Sequence, residues 1–280
     1  MSSEVTITAQ DVYKLRQMTG VGMMDCKNAL MEAQGNFEEA IHILRKKGQK
    51  VADKRADREA REGFVITLTN ADHTEGILMA LNCETDFVAK NAEFVQYAQR
   101  FAELALQHLP ANISDLKNLP LEGRTIGDLI TDLVGKIGEK IDIGYYQSLK
   151  APYVYSYNHP GNRVASMVGF NKNNVPGLEK IAKDVAMQVA AMAPVAVDKD
   201  DVPAATIHTE LDIARELLRK EGKPEDKIEM IARGKLEKFY KESTLLNQEF
   251  IKDNKLSIRQ YIQNADKELT VTGFCRYAVG

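Results

Sequence analysis

Apolar residues recur at helical spacing in three short stretches near the start of the chain. Thr8 and Asp11 stand in capping-box positions, and Val12, Leu15 and Met18 then share one face until TGVG (19–22) stops the helix. A second helix is expected from about Met23 to Gln34, ended by Gly35. A third opens in NFEEAIHILRKK, with Asn36 as N-cap, Glu39 in the capping-box position, and Phe37, Ala40, Ile41 and Leu44 facing inward. Residues 1–47 therefore read as a three-helix domain. The stretch RKKGQKVADKRADREAREG that follows is highly charged with almost no large apolar residue. Such a composition suits a solvated linker or an exposed helix extension, and 48–62 is assigned as the linker.

From Gly63 the period changes. FVITLTN, the polar turn ADHTE and GILMALNC predict a β-hairpin. A helix follows in NAEFVQYAQRFAELALQ, where Phe94, Tyr97, Phe101 and Leu104 recur after the N-cap candidate Asn91. Another begins at the cap Thr125 in TIGDLITDLVGKIGEK. The strands IDIGYYQSL and PYVYSYN, the turn HPGN, the strand RVASMVGFN and the helix GLEKIAKDVAMQVAAM come next, the last with Leu178, Ile181, Val185 and Val189 on one side. Hairpin followed by helix thus occurs twice. Residues 63–140 and 141–280 read as two related halves of a core, each a small antiparallel sheet with helices on one face. Between 203 and 241 two helices are broken by EGKPED, where Gly222 can end one and Pro224 can open the next as an antiparallel helical hairpin. SIRQYIQNA and the strand-like ELTVTGFCRYAVG finish the chain, the strand being expected to return to the second sheet. The fold class is α+β.

Composition narrows the function. The 280 residues are 44% apolar and 28% charged, and no run approaches the roughly eighteen consecutive apolar residues of a membrane span. The start MSSEVTITAQ lacks the basic and apolar segments of a secretory signal, so a cytoplasmic location with reduced thiols is expected. A formal net charge of −3 argues against nucleic acid as the main partner. Cys26, Cys83 and Cys275 offer neither a disulfide framework nor zinc-ligand spacing. Cys83 lies beside an acid, but a nucleophile needs a base, nothing in the spacing links it to a histidine, and its inward strand phase favours a core role. GVG follows a helix and lacks a following GK[ST], so it reads as a turn and not a phosphate loop. His73 and Glu75 offer only two ligands in a hairpin turn and are expected to face solvent.

One stretch resists a purely structural reading. NCETDFVAKN (82–91) sets Asp86 beside Phe87 where a strand gives way to a helix. Thr85 or Asp86 can cap a short helical turn that Phe87 staples to the core. Alternatively, Phe87 is a partner-facing anchor, since aromatic residues on rigid junctions carry a disproportionate share of binding energy.

TGVGMMDCKNAL (19–30) and NCETDFVAKNAEF (82–94) together closely resemble the signatures of the bacterial elongation factor Ts family, nucleotide-exchange factors for elongation factor Tu. The order of elements matches along nearly the whole chain. The resemblance implies a ubiquitin-associated-like helical domain, a linker, a two-part core and a projecting helical hairpin. It implies no enzymatic chemistry, no cofactor or metal, and one partner, elongation factor Tu in its GDP-bound and nucleotide-free states, with no direct nucleic-acid or membrane contact. It further implies that Asp86 and Phe87, flanked by Thr85 and Val88, intrude between two helices of the partner's GTPase domain and disturb its phosphate loop and magnesium site from the side. Ile137 in KIGE and His159 in YNHPG match further contact positions of the core. Arg16, Met23 and Met24 match contacts of the helical domain. From the residues alone, Ile137 also reads as ordinary core, His159 as a turn residue and the methionines as packing within the three helices. Tyr13 departs from the family pattern, standing where many relatives carry a basic contact residue. The chain ends at FCRYAVG where some relatives continue into a further helix, and self-association through the hairpin is left open. A rival adaptor reading, with residues 1–47 capturing a peptide or ubiquitin-like surface, predicts indifference to Phe87. A Cys83-dependent enzyme predicts loss of function in Cys83→Ser.

Overall fold

The N-terminal helices form where their caps stand. In the computed structural model, which describes residues 6–280, α1 spans Ala9–Thr19, α2 Met23–Glu32 and α3 Phe37–Arg55. The first five residues of MSSEVTITAQ lie outside the described residues. Thr8 and Asp11 make the reciprocal capping box, and the Asn36 side chain accepts from the Glu39 N–H at 3.1 Å. Gly20 ends α1 in the left-handed conformation (φ 67°). Val12, Leu15, Cys26, Ala29, Leu30, Ala40 and Leu44 close the small core among these helices.

Between the two forms left open for the charged stretch, helix extension is what residues 48–55 adopt, because α3 continues to Arg55. Strong helix formers such as Lys, Ala and Arg allow this, and tertiary packing secures it. The buried Gly48 lies against Gly135 of a later helix so closely that a Cβ on Gly135 would stand 2.7 Å from the Gly48 Cα.

Two strands follow, β1 (Glu62–Thr69) and β2 (Glu75–Cys83), with α4 (Asp86–Ala89), α5 (Ala92–His108) and α6 (Ile113–Lys117) after them. The short pair β3 (Pro120–Leu121) and β4 (Arg124–Thr125) leads into α7 (Ile126–Ile137), capped by Thr125 as its sequence predicts, with Asp128 completing a capping box. The strands β5 (Asp142–Lys150), β6 (Tyr153–Asn158) and β7 (Val164–Phe170) precede α8 (Leu178–Met192). The helical hairpin is α9 (Ala204–Lys220) and α10 (Glu225–Ser243). The pair β8 (Glu249–Phe250) and β9 (Asp253–Ser257), then α11 (Ile258–Gln263) and β10 (Val271–Ala278), complete the order.

One sheet has the order β1-β2-β5 and another β10-β7-β6. The last strand does return to the second sheet, antiparallel to β7 with Cys275 opposite Met167. The chain divides into two compact units. The first takes the chain up to Phe64, Met79–Tyr146 and Val279–Gly280; the second takes Val65–Leu78 and Gln147–Ala278. In the first unit Phe94, Phe101, Ile126, Leu129 and Leu133 are buried along the apolar faces of α5 and α7. In the second, Val168, Phe170, Ile181, Val185, Val189, Ile258 and Val271 belong to one core. The hairpin keeps a small core of its own from Ala214, Leu218, Ile228 and Ala232. Ion pairs between its helices, Arg215 with Glu229 and Arg219 with Glu225, add to it.

Two glycines inside long helices differ in their surroundings, and this sets opposite expectations. Gly135→Ala forces α3 and α7 apart, so it lowers unfolding stability by about 1–3 kcal/mol despite the better helix propensity of Ala. Gly234, inside α10, has nothing within 4 Å of an added Cβ; Gly234→Ala raises stability by about 1 kcal/mol. Denaturant unfolding of the two variants beside the wild type checks both signs.

Candidate functional site

β2 ends at Cys83, whose fully buried thiol donates to the Thr85 carbonyl at 3.2 Å. Thr85 keeps an extended backbone (φ −121°, ψ 154°) and caps α4, its hydroxyl oxygen accepting the Val88 N–H at 3.4 Å. Asp86 occupies the first helical position, where a carboxylate faces the unsatisfied N–H groups of the turn, and Lys90 Nζ donates to it at 2.6 Å. Phe87 comes next and is 83% exposed. Thr85 therefore caps the turn as one sequence reading expected, but Phe87 is not stapled to the core.

The turn is held from across the unit. α7 ends at Ile137, Gly138 takes the left-handed conformation (φ 79°), and the chain reverses to present Glu139. Glu139 Oε2 accepts the N–H groups of Glu84 at 3.1 Å and Thr85 at 3.0 Å, while Oε1 accepts the Thr85 hydroxyl at 2.7 Å. Glu84 answers by accepting the Lys140 N–H at 2.6 Å and Arg55 Nη1 at 2.7 Å. Burial by itself pushes the Glu84 carboxyl up; the Lys140 N–H and the Arg55 guanidinium outweigh it and hold the group below its ordinary value. Lys140 Nζ also donates to the carbonyls of Ala56 (2.5 Å) and Arg58 (2.8 Å), just beyond the end of α3. Sequence reasoning stopped at Ile137 and missed Glu139, Lys140 and Arg55. The only signal was a glutamate directly after a helix-ending glycine, which no periodicity marks.

The remaining predicted positions fall as follows. Val88 and Ile137 are half-buried. Arg16 is exposed on α1 together with Tyr13. Met23 and Met24, in the first turn of α2, are 37% and 66% exposed and outside the small helical core. These positions and the Thr85–Val88 turn belong to the first unit. His159 belongs to the second, exposed at the β6–β7 turn with Nδ1 3.0 Å from the Tyr157 hydroxyl.

Other chemistry read as possible from the sequence is already engaged. Burial, reinforced by the neighbouring charges of Glu139 and Glu62, pushes the Cys83 thiol up to about 12, so it stays protonated at neutral pH and is a poor nucleophile. His73 stacks on Tyr153 with ring centroids 5.3 Å apart, and Glu75 pairs with Lys150 at 2.5 Å. A cavity of about 480 Å³ beside α3 and α7 is lined by charges that pair with one another, among them Lys47 with Asp25, Arg124 with Asp132 and Lys136 with Glu93. Among the described residues no helix is long and apolar enough to cross a membrane.

The fold class is α+β, small antiparallel sheets with helical modules, and it carries an exposed aromatic on a turn pinned by partly buried hydrogen bonds. A family model described as "Elongation factor TS" matches residues 84–280. The protein named elongation factor Ts from Christiangramia forsetii is 50% identical over 98% of this chain and 99% of its own. That from Amoebophilus asiaticus is 51% identical over 99% of this chain and 100% of its own. That from Porphyromonas gingivalis is 50% identical over 98% and 99%. The chain belongs to the elongation factor Ts family.

Two measurements check the site's electrostatics and burial. All three cysteines are buried, so a thiol reagent should label the native protein slowly, at a rate set by opening, and the unfolded chain at once; rapid native labelling of Cys83 would contradict its placement. The Glu84 carboxyl lies below its ordinary 4.5 in the folded protein. Its ties therefore contribute stability that is full above that value and lost as pH falls through the lowered one. Glu84→Gln should destabilise the protein at neutral pH, with the gap to wild type closing in acid; denaturant unfolding across pH reads this, and a gap constant with pH would contradict it.

Proposed function

We propose that this protein promotes GDP release from elongation factor Tu by inserting Phe87, with Asp86 beside it, against the partner's GTPase domain, and so disturbs the phosphate and magnesium site without entering the nucleotide pocket. Membership of the elongation factor Ts family makes the chain a translation elongation factor that acts in guanine-nucleotide exchange on elongation factor Tu. The observation that carries the finer reading is the 83% exposure of Phe87 on a backbone fixed by Glu139. A bulky apolar side chain held in solvent by an ordered turn has its burial deferred to a partner.

Magnitudes shape the mechanism. Linkage requires the factor and GDP to weaken each other's binding equally, so the factor binds the nucleotide-free partner best. A thousandfold acceleration needs a barrier change of about 4 kcal/mol. Burying one Phe contributes about 2–3 kcal/mol. Further contacts must therefore hold the partner while the anchor acts. Met23, Met24 and Arg16 of the helical domain, Ile137 at the end of α7, and His159 of the second unit are assigned that work. Thr85 and Val88 shape the turn. No cofactor is needed and no nucleic acid is bound, and the chain works in the cytoplasm where its partner is.

The test is the release of a fluorescent GDP analogue from elongation factor Tu with magnesium present. Wild type accelerates release. Phe87→Ala slows it by roughly thirtyfold, about 2 kcal/mol converted at one decade per 1.4, while changing unfolding stability by less than about 0.5 kcal/mol as an exposed substitution does. Unchanged exchange by the variant would sink the wedge, and no acceleration by the wild type would sink the exchange function.

A further inference from the structure

The turn that carries Phe87 is not self-supporting. α4 has only four residues, too few to be stable by its own hydrogen bonds. Its N-terminal approach, Glu84–Thr85, leaves two backbone N–H groups with no strand or helix partner, and both are taken by one carboxylate, that of Glu139. The second oxygen of that carboxylate takes the Thr85 hydroxyl, whose oxygen in turn receives the Val88 N–H. Three charge-assisted hydrogen bonds thus converge on the residues immediately before Asp86 and Phe87, and such bonds are about twice as strong as neutral ones. Glu139 is itself aimed by Gly138, whose positive φ lets the chain reverse directly after Ile137.

We propose that Glu139 is a positioning residue for nucleotide exchange: it touches neither partner nor nucleotide, but pre-organises the Phe87 turn and ties it to the Ile137 segment so that both reach the partner as one rigid surface. This rests on the reading of Phe87 as the anchor. The reciprocal bond from the Lys140 N–H to Glu84, and the Arg55–Glu84 ion pair, extend the same tie to the end of α3. A pre-organised anchor loses little conformational freedom on docking. Without Glu139 the turn samples many orientations, and the rate of the step that requires Phe87 to be seated falls. The dispersed contacts elsewhere still hold the partner.

Glu139→Ala and Glu139→Gln separate this role from general stability. The glutamine amide oxygen can accept both N–H groups, and its nitrogen can donate to the Thr85 hydroxyl oxygen, which has two lone pairs. For Glu139→Ala, native-state hydrogen exchange resolved by residue should accelerate at the Glu84 and Thr85 amides, with amides inside α5 and α8 unchanged. In the GDP-release assay on elongation factor Tu, its limiting rate at saturating factor should fall roughly tenfold or more, the loss that one or more charge-assisted bonds convert to, with the half-saturating concentration changed less than about twofold. Glu139→Gln should restore most of both. Equal limiting rates for Glu139→Ala and wild type, while Phe87→Ala remains slow, overturn the role of Glu139 and leave the anchor standing. Glutamine no better than alanine overturns the hydrogen-bond mechanism. Amide acceleration spread across α5 and α8 shows a structural defect and overturns the positioning role. Normal exchange by Phe87→Ala removes the anchor, and this inference with it.

Discussion

Glu84 and Glu139 lie 55 residues apart in sequence, and each carboxylate accepts a backbone N–H from the other's segment: Glu139 from Glu84 and Thr85, Glu84 from Lys140. The exchange resembles a capping box drawn between two distant pieces of chain. Arg55 supplies a cation to Glu84, and backbone N–H groups donate to both carboxylates. The end of β2, the start of α4, the end of α7 and the end of α3 are thereby held at one junction. The turn that carries Phe87 leans on it, because a helix of four residues is too short to be stable by its own hydrogen bonds.

The second constraint is steric. α3 crosses α7 with Gly48 on Gly135, and this close approach packs the N-terminal helices against the rest of the first unit and delivers Arg55 to Glu84. A side chain at the crossing would lift α3 and draw the guanidinium away from its carboxylate. Packing at one end of a helix and charge at the other are therefore parts of one arrangement. The same division between rigid support and exposed side chain appears in α2, which buries Cys26, Ala29 and Leu30 while leaving Met23 and Met24 in solvent. Apolar side chains left outside a core that is complete without them are available to meet another surface.

How far the sequence reached differs from element to element. Caps were legible because they are local: Thr8 with Asp11, Asn36, Asn91 and Thr125 each bond within three residues, so a short stretch contains both donor and acceptor. The burial phase of α8 was legible because helical periodicity records it, and that of α5 in part, Phe94 and Phe101 being buried while Tyr97 and Leu104 are half-buried. Charge composition, in contrast, left 48–55 open between linker and helix. What decides there is Gly48 against Gly135, a contact that only folding creates. The placement of β5 beside β2 was likewise out of reach, since a strand's own pattern does not name its neighbour in a sheet.

The candidate site divides in the same way. The motifs around 19–30 and 82–94 carry the family resemblance by themselves, and Phe87 stands out among them through its chemistry beside Asp86. By itself the sequence determined the helical caps, the apolar faces, the α+β class and the family, all of which rest on local spacing or on motif identity. Only the tertiary structure decided that Phe87 faces solvent and that Glu139 holds its turn. The physical reason is that both depend on hydrogen bonds between segments more than fifty residues apart, whose partners are chosen by how helices and strands pack and not by any pattern along the chain.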